Sequence, residues 1–195
     1  MSFSNVSQLR EELNKTSAVE ILSKFFDNGS FCETDALLKS ESDFAEAVTG
    51  YGTVMGMPCY AFAQNSDVDN GAMSKAQAKK IARLYDLAIA TGAPVVGFYD
   101  SVGGRLSQKD DLLAAYGEIL SKASSISGVV PQIAVVLGNC LSTTALTATS
   151  ADFVIMADGA SLSIDVAPQK ASAQYNAEKG IANIVCENKD EAIEK

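Results

Sequence analysis

Two glycine-bearing segments hold residues whose types and order could do chemistry: Asp100-Ser101-Val102-Gly103-Gly104-Arg105 and Gly138-Asn139-Cys140-Leu141-Ser142-Thr143-Thr144. In the first, consecutive glycines reach backbone conformations closed to other residues and let a ligand approach the amide N–H groups. Such amides can form half of an oxyanion hole, whose donors converge on an oxygen that gains charge. The same residues also suit an ordinary strand-to-helix turn, and with no G-K-[ST] following they are not a phosphate P-loop. The second segment precedes a short helical pattern, whose free N–H groups and dipole can polarise a carbonyl or hold an anion. Ser142 or Thr143 acting as a simple N-cap is the competing reading there.

Composition limits what these hydroxyls can do. The 195 residues include no histidine, which excludes a Ser-His-Asp triad, a Cys-His pair and an H-E-x-x-H zinc site. No metal site is expected, and no lysine is placed near Ser142 to activate it. Cys32, Cys59, Cys140 and Cys186 are far apart without a C-x-x-C pair; they read as buried thiols in a reduced, cytoplasmic protein, with no signal-peptide pattern near Met1. The net charge of -9 opposes binding to nucleic acid or an anionic bilayer. Runs such as Ile133 to Leu137 fall far short of the roughly 20 apolar residues needed to span a membrane, so membrane insertion is not expected. Yet Gly71 to Asp110 holds six basic residues (Lys75, Lys79, Lys80, Arg83, Arg105, Lys109) against three acidic, a local +3. This is either a solvated helix face or a place where an anionic ligand is welcome.

The elements that must position the two segments follow from periodicity. Apolar positions from Val6 to Phe26 fit one helix or two short ones ending before Asn28-Gly29. Ala47 to Met55 and Cys59 to Gln64 read as strands joined by a turn at Gly56-Met57-Pro58. Ser74 caps a helix whose apolar set Ile81, Leu84, Tyr85, Ala88 and Ile89 runs to Gly92. Val95 to Tyr99 is then a buried parallel strand. A second cycle has a helix over Asp110 to Ser125 and a strand over Gln132 to Leu137. A small-residue helical stretch over Leu141 to Ser150, a strand over Phe153 to Met156, and a final strand and short helix from Ile181 to Lys195 complete the chain. Helix and Pro-initiated strand recurring about 37 residues apart predict an α/β protein with crossover connections, with ligands at the strand C-termini. A single domain over 1–195 is expected, with a helical arm over 1–45, a core over 46–165 and a shortened C-terminal segment over 166–195.

Several segments resemble the biotin-dependent acyl-CoA carboxyltransferase family: Thr49-Gly50-Tyr51-Gly52-Thr53, Ala90 to Gly97 into Asp100-Ser101, Tyr116-Gly117-Glu118-Ile119, Ser127 to Ile133, Val136-Leu137-Gly138 and Asp152 to Met156. Asp27 to Phe31 and Gly180 to Asn183 also match, in order, so the resemblance covers most of the chain. It implies a crotonase-like ββα-superhelix and an amino-terminal-half-like carboxyltransferase subunit. Backbone amides of the two loops would stabilise the enolate oxygen of a coenzyme A thioester. Gly103, Gly104, Ser142 and Thr143 are then the catalytic candidates, with Asp100, Ser101, Arg105, Lys75, Lys79, Lys80 and Arg83 in substrate binding. The resemblance implies no covalently bound cofactor, but biotin on a partner carrier protein, an acyl-CoA substrate, and a second carboxyltransferase half in a homo- or hetero-oligomer. The family's two adjacent glycines after Asp-Ser fall here on Val102 and Gly103, and its Pro-Cys-Ala-Gly-Gly on Asn139-Cys140-Leu141-Ser142-Thr143. Bulkier side chains at these places define the alternative, a catalytically degenerate scaffold of the same fold.

Overall fold

The computed structural model describes residues 16–38, 46–165 and 168–195. The expected helical positions at Val6, Leu9 and Leu13 lie outside them. Helix α1 (Ser17–Phe25) buries Ala18, Val19 and Leu22, and Phe25 meets Phe98 edge-on with ring centroids 5.1 Å apart. A short strand, β1 (Cys32–Thr34), follows and pairs with β2 (Ala47–Val54). The arm expected to be helical therefore also supplies a sheet edge, because β1 has its partner far away in sequence. Cys32 is exposed on that edge, which corrects the expectation of four buried thiols; Cys59, Cys140 and Cys186 are buried.

Strands β2 and β3 (Met57–Gln64) form an antiparallel hairpin whose turn is Met55-Gly56, with φ of 51° and 76°. The turn thus starts one residue earlier than expected, and β3 begins two residues earlier. Two consecutive positive φ values match the right-handed twist of the strands, and Pro58 sits inside β3, beyond the stretch paired to the next strand from Tyr60 onward. Helix α2 (Lys75–Thr91) begins where the Ser74 Oγ accepts the Gln77 N–H at 3.2 Å and ends at Gly92, at φ 72°. Strand β4 (Val95–Ser101) lies parallel to β3, and helix α3 (Lys109–Ile126) packs beside α2.

Strand β5 (Gln132–Leu141) runs four residues past the expected end. Helix α4 (Thr143–Thr149), β6 (Phe153–Ala157), β7 (Ser161–Ser163), helix α5 (Ala173–Glu178), β8 (Ile184–Cys186) and helix α6 (Lys189–Glu194) complete the chain. The sheet order is β1-β2-β3-β4-β5-β6-β8, with β7 paired to the end of β5, and every pair from β3 onward is parallel. Phe62, Phe98, Met156, Leu162, Ile81 and Leu84 are among the largest fully buried side chains. Each contributes roughly 1.5–3 kcal/mol of burial to the core between sheet and helices. Among the described residues no helix is long and apolar enough to cross a membrane.

Candidate functional site

The parallel strands end together, and their C-terminal ends bring the two glycine-bearing segments side by side. Asp100 and Ser101 are the last residues of β4, not loop residues, and Gly138 to Leu141 continue β5. A Cβ built on Gly103 would stand 3.4 Å from the Ser142 Cβ and 3.6 Å from the Leu141 carbonyl oxygen. Gly103 has φ 115°, in the region that favours glycine. Gly104 has no side chain for a different reason: a Cβ there would run into Leu112 of α3.

Ser142 occupies the N-cap position of α4 with φ 60° and ψ -135°, and its side chain makes no capping hydrogen bond. The simple N-cap reading is therefore corrected. This backbone is that of the first central residue of a type II′ turn, where glycine dominates. A glycine would take this backbone without strain.

Hydrogen bonds sort the four candidate amides. The Ser101 Oγ accepts the Gly103 N–H at 3.1 Å and donates to the Gly103 carbonyl at 3.2 Å. Ser142 N–H donates to the Ser163 carbonyl at 2.9 Å. Among the described residues, no hydrogen bond is donated by the Gly104 or Thr143 N–H. Thr143 opens α4, where the first-turn amides have no helical acceptor. Beneath them, the Tyr116 hydroxyl and Thr144 Oγ1 lie 2.9 Å apart. Burial raises the pKa of Tyr116, Tyr99 and the Cys140 thiol, with the nearby Asp100 charge adding to the effect on Cys140. These groups stay protonated at neutral pH, so the arrangement offers amide donors and no thiolate nucleophile.

The charged candidates divide. Lys75 pairs with Asp111 at 2.9 Å, its own N–H donating to the Gln108 side chain, and so lies beside the first loop. Lys79 is exposed, and Arg83 pairs with Asp35 at 2.8 Å. Spaced four residues apart, Lys75, Lys79 and Arg83 run about 12 Å along one face of α2. Lys80 does not join them: it is 1% exposed and donates to the Ala47 carbonyl at 2.8 Å, with its pKa lowered by burial. Gln77, Lys80 and Leu84 form a buried stripe, so Lys80 is removed from the ligand-facing set. Arg105 is also buried, 3.0 Å from Glu46 and paired with Asp69, and its charge is held by these two carboxylates.

Asp100 receives contacts that its sequence neighbours do not announce. Its Oδ1 accepts the Asn139 N–H at 3.0 Å, its own N–H donates to Gln64 Oε1 at 3.2 Å, and Lys189 Nζ is 3.7 Å from Oδ2. A cavity of about 180 Å³ opens beside it between α1 and α6, lined by Glu20, Lys24, Leu137, Lys189 and Asp190 among others. Its charges are mutually paired, with Lys24 lying 2.9 Å from Asp190 and 3.4 Å from Glu20. Gln64, Asn139 and Lys189 were not candidates from sequence; their separation along the chain hides their convergence.

Residues 10–193 match the carboxyl transferase domain family. The chain is 34% identical over 204 aligned residues to methylmalonyl-CoA decarboxylase subunit alpha of Veillonella parvula, covering 92% of this chain and 40% of the relative. It is 39% identical over 165 residues to the subunit of the same name from Propionigenium modestum, covering 80% of this chain and 32% of the relative. Among solved structures, transcarboxylase 12S, described as a hexamer assembly with methylmalonyl-coenzyme A and methylmalonic acid bound, superposes with a TM-score of 0.86 at 29% identity. That superposition covers 95% of this chain and 41% of the other. The beta subunit of P. aeruginosa geranyl-CoA carboxylase shares the fold with a TM-score of 0.84 at 23% identity, covering 96% of this chain and 39% of that one. The chain therefore spans less than half the length of these relatives.

Proposed function

Because the chain belongs to the carboxyl transferase domain family and has the crotonase-like α/β fold of its structural neighbours, we propose that it acts as one half of a biotin-dependent acyl-CoA carboxyltransferase. The observation that supports this most is the meeting of Gly103 with Ser142, which sets two loops carrying uncommitted amides, Gly104 N–H and Thr143 N–H, at the C-terminal ends of β4 and β5. In this reading those amides donate to the thioester oxygen while it holds enolate charge, which it gains when the α-carbon loses a proton or a carboxylate and gives back when that carbon takes up the carboxyl group or a proton, with biotin on the carrier exchanging the one for the other. Preorganised donors of this kind need no histidine and typically contribute several kcal/mol, about 3 or more per donor. Gly103 and Ser142 shape the site, their own N–H groups being engaged internally. Lys75, Lys79 and Arg83 face solvent on α2 and suit the phosphates of coenzyme A. Biotin on a carrier protein would supply the carboxyl group, and a second carboxyltransferase half would close the site in a homo- or hetero-oligomer.

The test is calorimetric titration of the full chain with propionyl-CoA, alone and with a second carboxyltransferase half, followed by carboxyl transfer from a biotinylated carrier. Saturable thioester binding and transfer are expected. No binding at millimolar concentration in either arrangement overturns the reading.

One observation favours a second reading, a scaffold that keeps the fold without the chemistry: Ser101 Oγ and the Ser163 carbonyl engage two of the four candidate amides, and the Ser142 side chain stands in front of Gly103. A scaffold would bind a partner half but not gain thioester affinity when Ser142 is trimmed to glycine.

A further inference from the structure

Strands β4 and β5 keep one register from Val95 opposite Gln132 to Tyr99 opposite Val136, and then Ser101 lies opposite Cys140. Two residues of β4 thus span four of β5. Had the first register continued, Ser101 would face Gly138, and Ser142 would stand about 7 Å further along, out of reach of Gly103. The excess in β5 is what brings the two loops together. Bulges are known to re-aim side chains beside functional sites, but they leave ladder groups unpaired that something must satisfy.

Asp100 is the β4 residue opposite the excess. Its Oδ1 accepts the Asn139 N–H at 3.0 Å, a charge-assisted bond replacing a ladder bond. Its carboxylate occupies the space that a Cβ on Gly138 would fill. Its backbone is held from both sides: the N–H donates to Gln64 Oε1 at 3.2 Å, and the carbonyl packs where a side chain on Gly71 would collide.

We propose that Asp100 is a positioning residue, whose carboxylate props open the β5 bulge and so sets the Ser142-Thr143 amides against the Gly103-Gly104 loop, rather than a residue that touches substrate. The register argument stands by itself; its consequence for ligand binding rests on the carboxyltransferase reading above.

The experiment compares the wild-type full chain with Asp100→Ala, Asp100→Asn and Gly138→Ala. Asp100→Ala removes the acceptor, Asp100→Asn keeps an Oδ1 acceptor without charge, and Gly138→Ala displaces the carboxylate while leaving Asp100 in place. Amide hydrogen exchange is read at Asn139, together with the ratio of affinities for propionyl-CoA and free coenzyme A. Asp100→Ala and Gly138→Ala are expected to speed Asn139 exchange at least tenfold relative to amides in the middle of β5, and to collapse the thioester preference toward one. Asp100→Asn should keep both within about threefold. A general loss of stability would speed exchange throughout β5 and weaken both ligands alike. Wild-type Asn139 protection in Asp100→Ala overturns the proposal, as does an Asp100→Asn variant as exchange-labile as Asp100→Ala. If Asp100→Ala does not fold, Gly138→Ala decides. If wild-type protein shows no thioester preference, the carboxyltransferase reading fails and the exchange data still decide the role of Asp100.

Discussion

Replacing Ser142 by glycine should make the protein more stable, although glycine ordinarily costs stability. Ser142 sits at φ 60° and ψ -135° and its side chain makes no capping hydrogen bond, so the change removes strain and gives up no cap. A non-glycine residue in such a region costs on the order of 1–3 kcal/mol. The greater freedom of glycine in the unfolded chain takes back about 0.5–1 kcal/mol. The balance is a gain of about 1 kcal/mol, which for a chain of this size raises Tm by about 2–4 °C. Thr143→Gly is the matched comparison: Thr143 has helical backbone at the start of α4, so glycine there relieves nothing and lowers Tm. Scanning calorimetry of the two variants beside wild type reads both signs. A Ser142→Gly variant that melts at or below the wild-type temperature refutes the strain argument. The same variant removes the Cβ in front of Gly103, so propionyl-CoA affinity should rise in Ser142→Gly if the site is a blocked carboxyltransferase, and stay unchanged if the chain is a scaffold.

Three further outcomes follow from burial and charge. Gly117 lies on the exposed face of α3 with nothing within 4 Å of a built Cβ; Gly117→Ala should stabilise by about 0.5–1 kcal/mol, visible as a higher urea midpoint, and a lower midpoint would contradict the helix assignment. Arg105→Ala takes the guanidinium away from the Glu46 carboxylate, which is 1% exposed and keeps the Ser74 hydroxyl as a donor, and should cost about 3 kcal/mol or more. Asp69→Ala, at the exposed end of the same network, should cost about 1 kcal/mol or less, and equal losses in the two variants would dismiss the buried-charge account. Alkaline pH should destabilise the fold. Burial pushes Cys59 from 9.0 to about 12 and Tyr85 from 10.0 to about 12, so their contribution is complete below the unfolded values and is lost as pH rises through the folded ones. Lys80, lowered from 10.5 by burial, acts in the opposite sense, one lysine against several thiols and phenols. The urea midpoint at pH 11 should therefore lie below that at pH 8, and an equal or higher one would reverse the sign.

The sequence makes legible whatever is written locally. The helix from Lys75 to Thr91 announces itself by its stripe, its Ser74 cap and its terminal Gly92, and β4 by an unbroken apolar run. The end of β5 was not readable, because Gly138-Asn139 looks like a turn; what keeps it extended is the Asp100 carboxylate and pairing with β7, both distant in sequence. The same reason hides β1, a strand only by virtue of Tyr51, Gly50 and Thr49 beside it. Lys80 misleads by its neighbour: its type suggests solvent, while its place in line with Gln77 and Leu84 takes it under β2, where the Ala47 carbonyl receives it. At the candidate site, the glycines mark the two segments that meet, though Asp100-Ser101 and Gly138 to Leu141 are strand ends and not loops. Which amides are already spoken for depended on Ser101 and Ser163, hydroxyl and carbonyl groups with no distinctive pattern.

The size of the bulge in β5 matters as much as its presence. Side chains along a strand alternate faces with a period of two, so an excess of one residue would have sent Cys140 and the residues after it to the opposite face of the sheet. An excess of two advances the strand by one whole period, so each residue keeps its face; Val135, Val136, Leu137 and Cys140 are all buried because the strand is covered on both sides. The loop ends are thereby free to slide relative to β4 in steps of about 7 Å without any rewriting of the core pattern. A fold with this property can move its binding groups by inserting or deleting residue pairs while every side chain keeps its face, whereas a single-residue change exchanges the two faces.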